Sequence, residues 1–383
     1  MNEAYVIGVG MTEFGKHPER RLTDMGREAC WRALKDAGIH PKQVQTGFSG
    51  NSLAPYLQRE VDIGQPILRE VGIVGIPILN ISNACASGSC AFREAWLAVA
   101  SGLYELVIAV GTEKAFVGKG AMLDIGGQDF QLMQGGVFPG DFALKARRHM
   151  LEFGTTKEQL AKISVKNHKN GCLNAYSQFK KEFTVEEVLN SPMVADPLTV
   201  LSCCPNSDGS AATIIASKDL AKRYCEKPIR IAASALTSGT YEPNRNLALF
   251  DLDFEASKIA YEISGYDPQD IDVAEVHDAF TIAEIMHYEG LGFCKLGEGG
   301  RLIDEGETEI GGRIPVNPSG GLLSRGHPVG ATGLAQIAEI VWQLRGETGK
   351  RQVENARIGL AHVVGGGREG DVGAGTIHIL ARD

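Results

Sequence analysis

Ala37-Gly38-Ile39-His40-Pro41, followed by a strand-like run over residues 44–49, is answered late in the chain. The answering segment is Ser264-Gly265-Tyr266-Asp267-Pro268, with its own run over residues 271–276. In both places a helical pattern stops at a glycine that can supply a left-handed C-cap, and a proline shortly after bars continuation. The echo continues outward. A strand over residues 78–81 leads through a turn at Cys85 into an amphipathic helix closed by Ser101-Gly102. Its counterpart is Pro315-Val316-Asn317, a glycine-rich turn and a helix over about residues 332–344. Residues 106–111 are matched by residues 358–364, each patterned as a buried strand. One such pair could arise by chance; three in the same order predict an internally duplicated α/β protein.

An insertion separates the two halves. It opens with the glycine-rich residues 118–140 and continues into helix-like segments over residues 141–153 and 157–169. The expected division is a first half over residues 1–112, a loop or cap domain over 113–195, the remainder of the first half over 196–250, and a second half over 251–383. A cap over a site and a surface excursion without a ligand role are both compatible with this pattern.

With 383 residues, the chain is long enough for several apolar layers without covalent staples. A net charge of -9 argues against nucleic acid as the main partner, because a phosphate backbone needs a basic face. It does not exclude an anionic ligand, which local basic groups or helix N-termini can hold. Apolar stretches such as residues 106–110 are far too short to span a membrane. The N-terminal stretch has neither a basic region nor a long apolar run, and the eight cysteines are expected to be reduced thiols, so the expected compartment is cytoplasmic.

Four segments can carry chemistry. In Asn83-Ala84-Cys85-Ala86-Ser87-Gly88-Ser89-Cys90, small residues permit a tight strand-to-helix turn. If that turn opens the helix, free N–H groups and the helix dipole favour a thiolate at Cys85. On periodicity alone, a buried structural cysteine is the commoner outcome. Cys90 and the other cysteines show no metal-ligand spacing and read as structural, and no metal site is expected. His277-Asp278-Ala279-Phe280 follows a strand-like run, and His327 lies in the glycine-rich stretch from Asn317 to Gly333. Either histidine can exchange protons near neutral pH, and either can be structural. His362-Val363-Val364-Gly365-Gly366-Gly367 is a strand entering a turn that can offer N–H groups to an oxyanion.

Together with Cys204-Pro205-Asn206-Ser207-Asp208-Gly209, these blocks resemble the thiolase family over nearly the whole chain, and most of all its sterol carrier protein-type and archaeal-type branches. The Gly326-His327-Pro328 and Gly330-Ala331-Thr332-Gly333 pair is the most specific match. The resemblance implies a five-layered α-β-α-β-α fold of two duplicated halves with an inserted loop domain. It implies an acyl-CoA C-acyltransferase in which Cys85 takes the acyl group and His327 activates it. His277 and His327 then form one oxyanion hole, and the N–H groups of Cys85 and Gly365 form the other. Coenzyme A is implied as a substrate rather than a resident cofactor, with contacts from His149, Met150, Ser319 and Gly320. The implied assembly is a homodimer with a small OB-fold/zinc-ribbon subunit.

The departures from the family pattern are equally specific. Most thiolases carry a second catalytic cysteine in a Cys-x-Gly turn, where this chain has Val363, and sterol carrier protein-type relatives place one where this chain has Ala279. Neither side chain titrates, which leaves His277, alone or through water, as the expected proton carrier. Its pKa is expected to stay near the ordinary histidine value of about 6.5. Strand alternation should point His362 away from the side that Val363 faces. The loss of cysteine side chains is compatible with a bulky acyl group such as benzoylsuccinyl. The alternatives are an acetoacetyl-CoA thiolase within a multienzyme complex, a retro-aldol carbon–carbon lyase, and an inactive subunit that binds a partner or lipid.

Overall fold

The computed structural model describes residues 2–116, 133–242, 245–367 and 371–383. Most of the glycine-rich stretch over residues 118–140 therefore lies outside the described residues.

Nine strands form one hydrogen-bonded ladder. In chain order they are β1 (Ala4–Met11), β2 (Thr46–Gly50), β3 (Ile78–Ile81), β4 (Leu106–Lys114), β5 (Asp208–Ser217), β6 (Ile229–Thr237), β7 (Val273–Glu275), β8 (Ile358–Gly365) and β9 (Ala374–Ala381). Their spatial order is β3-β2-β4-β5-β1-β6-β9-β8-β7. The ladder is two sheets meeting at a corner, since β1 and β6 share only the pairs Tyr5–Arg230 and Val6–Ile229.

Each side of that corner repeats the same plan. In the first sheet β2 is parallel to β3 and β4, and β5 is antiparallel to β4 and β1. In the second, β8 is parallel to β7 and antiparallel to β9, which is antiparallel to β6. The counterpart of β3 is reduced to one parallel bridge, Ala274–Val316. The strand anticipated over residues 315–317 is thus a single contact rather than a full element. Gly38 and Gly265 both have left-handed φ, of 63° and 74°, as the echoed sequences required.

The helices fall into layers because their apolar faces have different partners. Helices α1 (Leu22–Asp36) and α2 (Gly64–Val71) cover the outer face of the first sheet through Ala29, Leu34 and Ile67. Helices α3 (Ser87–Ala100) and α9 (Thr332–Arg345) lie between the two sheets, with Phe92, Ala95, Leu334 and Ile337 in one core. An α-helix that is apolar on nearly all sides belongs in such a double-sided layer. On α9 every residue except Trp342 is buried. Helices α6 (Asp251–Ser264) and α7 (Thr281–Gly290) cover the second sheet, and the short α8 (Gly321–Arg325) precedes α9. The result is α-β-α-β-α, with two duplicated halves.

Between β4 and β5 the inserted segment carries α4 (Phe138–Phe153) and α5 (Lys157–Cys172), close to the helices expected there. One boundary differs from the sequence reading. Residues 229–237, assigned there to the first half, form β6 and pair with β9, so they lie in the second sheet. Their alternation reads the same in either sheet, and only the pairing partner decides.

Candidate active site

Strand β3 and helix α3 are joined by a turn held from within. Ala84 adopts a left-handed φ of 48°, the Ala86 N–H donates to Asn83 O, and the Ser87 hydroxyl donates to Ala84 O at 2.6 Å. A non-glycine residue in that region is a strained position that its surroundings must hold. The turn delivers Cys85 just before the first turn of α3, with its side chain half-buried. Cys90 is packed inside α3 and accepts from Asn83 Nδ2 at 3.2 Å, in keeping with a structural role.

The opposing wall comes from the second half. Gly88 permits the approach: a Cβ there would sit 2.4 Å from the Gly330 carbonyl oxygen. This brings the loop before α9 onto the Cys85 turn and places His327 Nε2 3.2 Å from Cys85 Sγ. His327 Nδ1 lies 2.7 Å from Thr332 Oγ1, and that hydroxyl donates to Pro328 O at 3.0 Å. With its only proton committed to Pro328, Thr332 accepts from His327 Nδ1–H, so Nε2 is the bare nitrogen facing the thiol. The His327 main chain is fixed as well, its N–H donating to Ser207 Oγ at 2.9 Å.

His277, at the end of β7, completes the group. Its ring lies edge-on to that of His327, centroids 5.2 Å apart, and the polar atoms of Cys85, His277 and His327 all lie within 4.8 Å of one another. The His277 ring is buried, and neither of its nitrogens has a hydrogen-bond partner among the described residues. On the far side, β8 ends at the glycine turn. A Cβ on Gly365 would fall 2.4 Å from Asn83 O and 2.5 Å from Ala86 N, so glycine is what lets this strand end abut the Cys85 turn. The N–H groups directed at the Cys85 sulfur are its own and that of Gly366, one residue beyond Gly365.

The electrostatics of the site differ from the sequence reading, in which a turn that opens the helix favours a thiolate at Cys85. Burial instead pushes the Cys85 thiol up to about 12, assisted by the nearby Glu113, and the two N–H groups do not overcome it. Burial also lowers His327 to about 3. His277, expected near the ordinary histidine value, is driven well below it by burial and by the neighbouring His327. The resting pair is therefore neutral thiol and neutral imidazole. With the thiol pKa raised, alkylation of Cys85 by iodoacetamide should keep accelerating with pH beyond about pH 9. A plateau between pH 6 and 8 in the rate of Cys85 modification, followed by mass spectrometry, would instead mean a standing ion pair.

The four positions expected to contact coenzyme A are placed as follows. His149 is fully buried and both its nitrogens are occupied, by Thr155 Oγ1 at 2.7 Å and Glu289 Oε2 at 3.2 Å. It ties α4 to α7; Met150, its neighbour on α4, is half-buried. Ser319 is buried and donates through N and Oγ to Glu275 at 3.0 and 2.6 Å, where Arg325 Nη1 also binds. Gly320 has a φ of 99° and packs on Gly171 of α5. Those two residues shape the loop that carries His327.

His362 points away from Val363, as alternation required. Val363 packs with Ala86 and Cys90, whereas His362 Nε2 meets Asp253 Oδ1 of α6 at 3.0 Å. Sequence reasoning passed over Thr332, Asp253 and His287. Thr332 falls inside the quoted motif, but its role shows only in its pairing with His327. Asp253 and His287 are each one of several polar residues on their helices, and become informative only when buried polar groups are matched to partners.

With this geometry in view, comparison with known proteins gives the class. Residues 4–219 match the model of the thiolase N-terminal domain, and residues 233–379 match that of the thiolase C-terminal domain-like family. The chain belongs to the thiolase family. It is 45% identical over 387 residues to the acetyl-CoA acetyltransferase of Methanothermobacter thermautotrophicus, covering 100% of both chains. It is 40% identical over 372 residues to the benzoylsuccinyl-CoA thiolase subunit BbsB of Thauera aromatica, covering 95% of each. Among solved structures, a chain of the Ltp2-ChsH2(DUF35) aldolase superposes with a TM-score of 0.84 at 27% identity, over 100% of this chain and 98% of that one.

Proposed function

We propose that this thiolase-family acyltransferase cleaves a 3-oxoacyl-CoA with coenzyme A, or runs the reverse Claisen condensation, through an acyl group carried on Cys85. The observation that carries the reading is the 3.2 Å contact between Cys85 Sγ and a His327 whose bare Nε2 is fixed by Thr332. The sulfur attacks the keto carbon while its proton passes to His327 Nε2. The N–H groups of Cys85 and of the Gly365–Gly366 turn receive the resulting oxyanion. The bond to the α-carbon then breaks, leaving the acyl group on Cys85 and an enolate of the departing thioester. Its oxygen sits between His327 and His277, and His277, directly or through water, relays to carbon the proton that His327 took from the thiol, which returns His327 to the neutral base. A coenzyme A thiol then attacks acyl-Cys85 as its proton passes to His327, the Cys85 thiolate leaves and takes that proton back, and the acyl-CoA product departs.

A retro-aldol reading has one observation in its favour, the structural likeness to a protein titled an aldolase. A retro-aldol cleavage needs no acyl acceptor and no nucleophile, whereas this chain places a cysteine against a tautomer-fixed base. A spectrophotometric assay with acetoacetyl-CoA separates the two, because a retro-aldol lyase needs a 3-hydroxy group and leaves a 3-oxoacyl thioester intact. Loss of the 3-oxoacyl chromophore should require added coenzyme A and yield acetyl-CoA; no loss with coenzyme A present, beside cleavage of a 3-hydroxyacyl-CoA without it, contradicts acyl transfer. The substrate we favour beyond this test is a bulkier 3-oxoacyl group of the benzoylsuccinyl kind, on the strength of the similarity to BbsB and of the apolar Val363 and Ala279 beside the site.

We also propose a homodimer and a small OB-fold/zinc-ribbon partner. In support of the first, β3 ends the sheet with no described strand on its outer edge, and Leu79 on it is 49% exposed. In support of the second, the structural neighbour is titled as a complex with a DUF35 protein. Light scattering should give at least twice the mass of 41.1 kDa, and an active monomer would contradict the pairing.

A further inference from the structure

His277 is 4% exposed, yet no described residue hydrogen-bonds either of its ring nitrogens. Beyond its packing against the His327 ring, its placement comes from its main chain, and that main chain is gripped on each side. The preceding Val276 N–H donates to Asn317 Oδ1 at 2.9 Å, and the following Asp278 carboxylate accepts from the N–H groups of Leu322 and Leu323 at 2.7 and 3.3 Å. The carbonyl of His277 itself meets Nε2 of His287 at 3.2 Å. His287 lies on α7, ten residues further on, and is fully buried.

The other nitrogen of His287, Nδ1, meets Asp253 Oδ2 of α6 at 2.6 Å. A carbonyl and a carboxylate are both acceptors, so His287 donates from both nitrogens. Burial pushes the Asp253 carboxyl up, but His287 and His362 more than offset this and hold it well below the usual carboxylate range. Asp253 thus stays ionised and can accept from both histidines. Stacking against Phe250, with ring centroids 4.8 Å apart, and the His362 ring at 4.4 Å leave the His287 imidazole no room to turn.

We propose that His287, oriented by Asp253, is the positioning residue that sets His277 for proton transfer, acting through its Nε2–H bond to the His277 carbonyl. This rests on the reading in which His277 moves the α-proton. His287 touches no reacting atom. It fixes the backbone from which an otherwise untethered ring projects, and a misplacement of a proton carrier by a fraction of an ångström is costly.

Two substitutions of His287 separate its two bonds. In His287→Gln the amide nitrogen reproduces Nε2 and keeps the donor to His277; in His287→Asn it reproduces Nδ1 and keeps only the donor to Asp253. The measurement is deuterium uptake from solvent into the α-carbon of acetyl-CoA, set beside the burst of acyl transfer to Cys85, which reports folding and the Cys85–His327 pair. His287→Asn should slow exchange about 10-fold or more, His287→Gln should keep it within about 3-fold, and both should keep the burst. If both His287 variants misfold, Asp253→Asn takes their place and should slow exchange with the burst intact. Wild-type exchange in His287→Asn or, where it stands in, in Asp253→Asn overturns the proposal, as do equal losses in the Asn and Gln variants of His287. His277→Ala is the control: if it abolishes exchange while His287→Asn does not, only the positioning role falls, and if it leaves exchange intact, the proton-carrier reading falls and takes this proposal with it.

Discussion

Replacing Cys85 with serine should lower acyl transfer on the order of 10³-fold or more, because the hydroxyl is both a poorer nucleophile and a poorer leaving group. The electrostatics of the site make this loss severe. Burial holds the base, His327, at about 3, so it accepts a proton only as the sulfur bonds to carbon. A serine, far less acidic than a thiol that burial already pushes to about 12, cannot meet that requirement. Steady-state thiolysis measures the loss. The fold should be unaffected, since the turn is held by Ala84, Asn83 and Ser87 rather than by the sulfur.

His327→Ala should cost about 10²–10⁴-fold in turnover, the usual range for a positioned general base. It removes the nitrogen 3.2 Å from Cys85 Sγ and with it one of the two histidines proposed to face the enolate oxygen. The structure also predicts which step suffers: single-turnover acylation of Cys85 should slow by nearly the whole factor. Unchanged turnover together with unchanged iodoacetamide reactivity at Cys85 would return His327 to a purely structural role, like that of His149.

The duplicated plan was legible because capping chemistry and buried-strand patterns recur in order, and local rules suffice to see them. The two glycine stops at Gly38 and Gly265 needed only the C-cap rule. Sheet membership was not legible. Residues 229–237 alternate like any strand, and their partner β9 is more than a hundred residues away. The site divides in the same way. Cys85, His277 and His327 could be named because they sit in short motifs, whereas the thiol's protonation depends on burial and on the charge of Glu113, both set by segments far from Cys85 in the chain. The partners of His149, Thr155 and Glu289, were not legible, because a two-residue match says nothing about which nitrogens are bonded. Asp253 and His287 were invisible for a related reason, since a buried polar pair shows itself only when both partners are in view.

The central claim is that the acyl group passes through Cys85. Incubation with acyl-CoA, acid quench, proteolysis and mass spectrometry test it directly. A single acyl adduct on the peptide containing Cys85, absent from Cys85→Ser, is the predicted result; an adduct on Cys90, Cys203 or Cys204 instead, or near-normal turnover by Cys85→Ser, would contradict it.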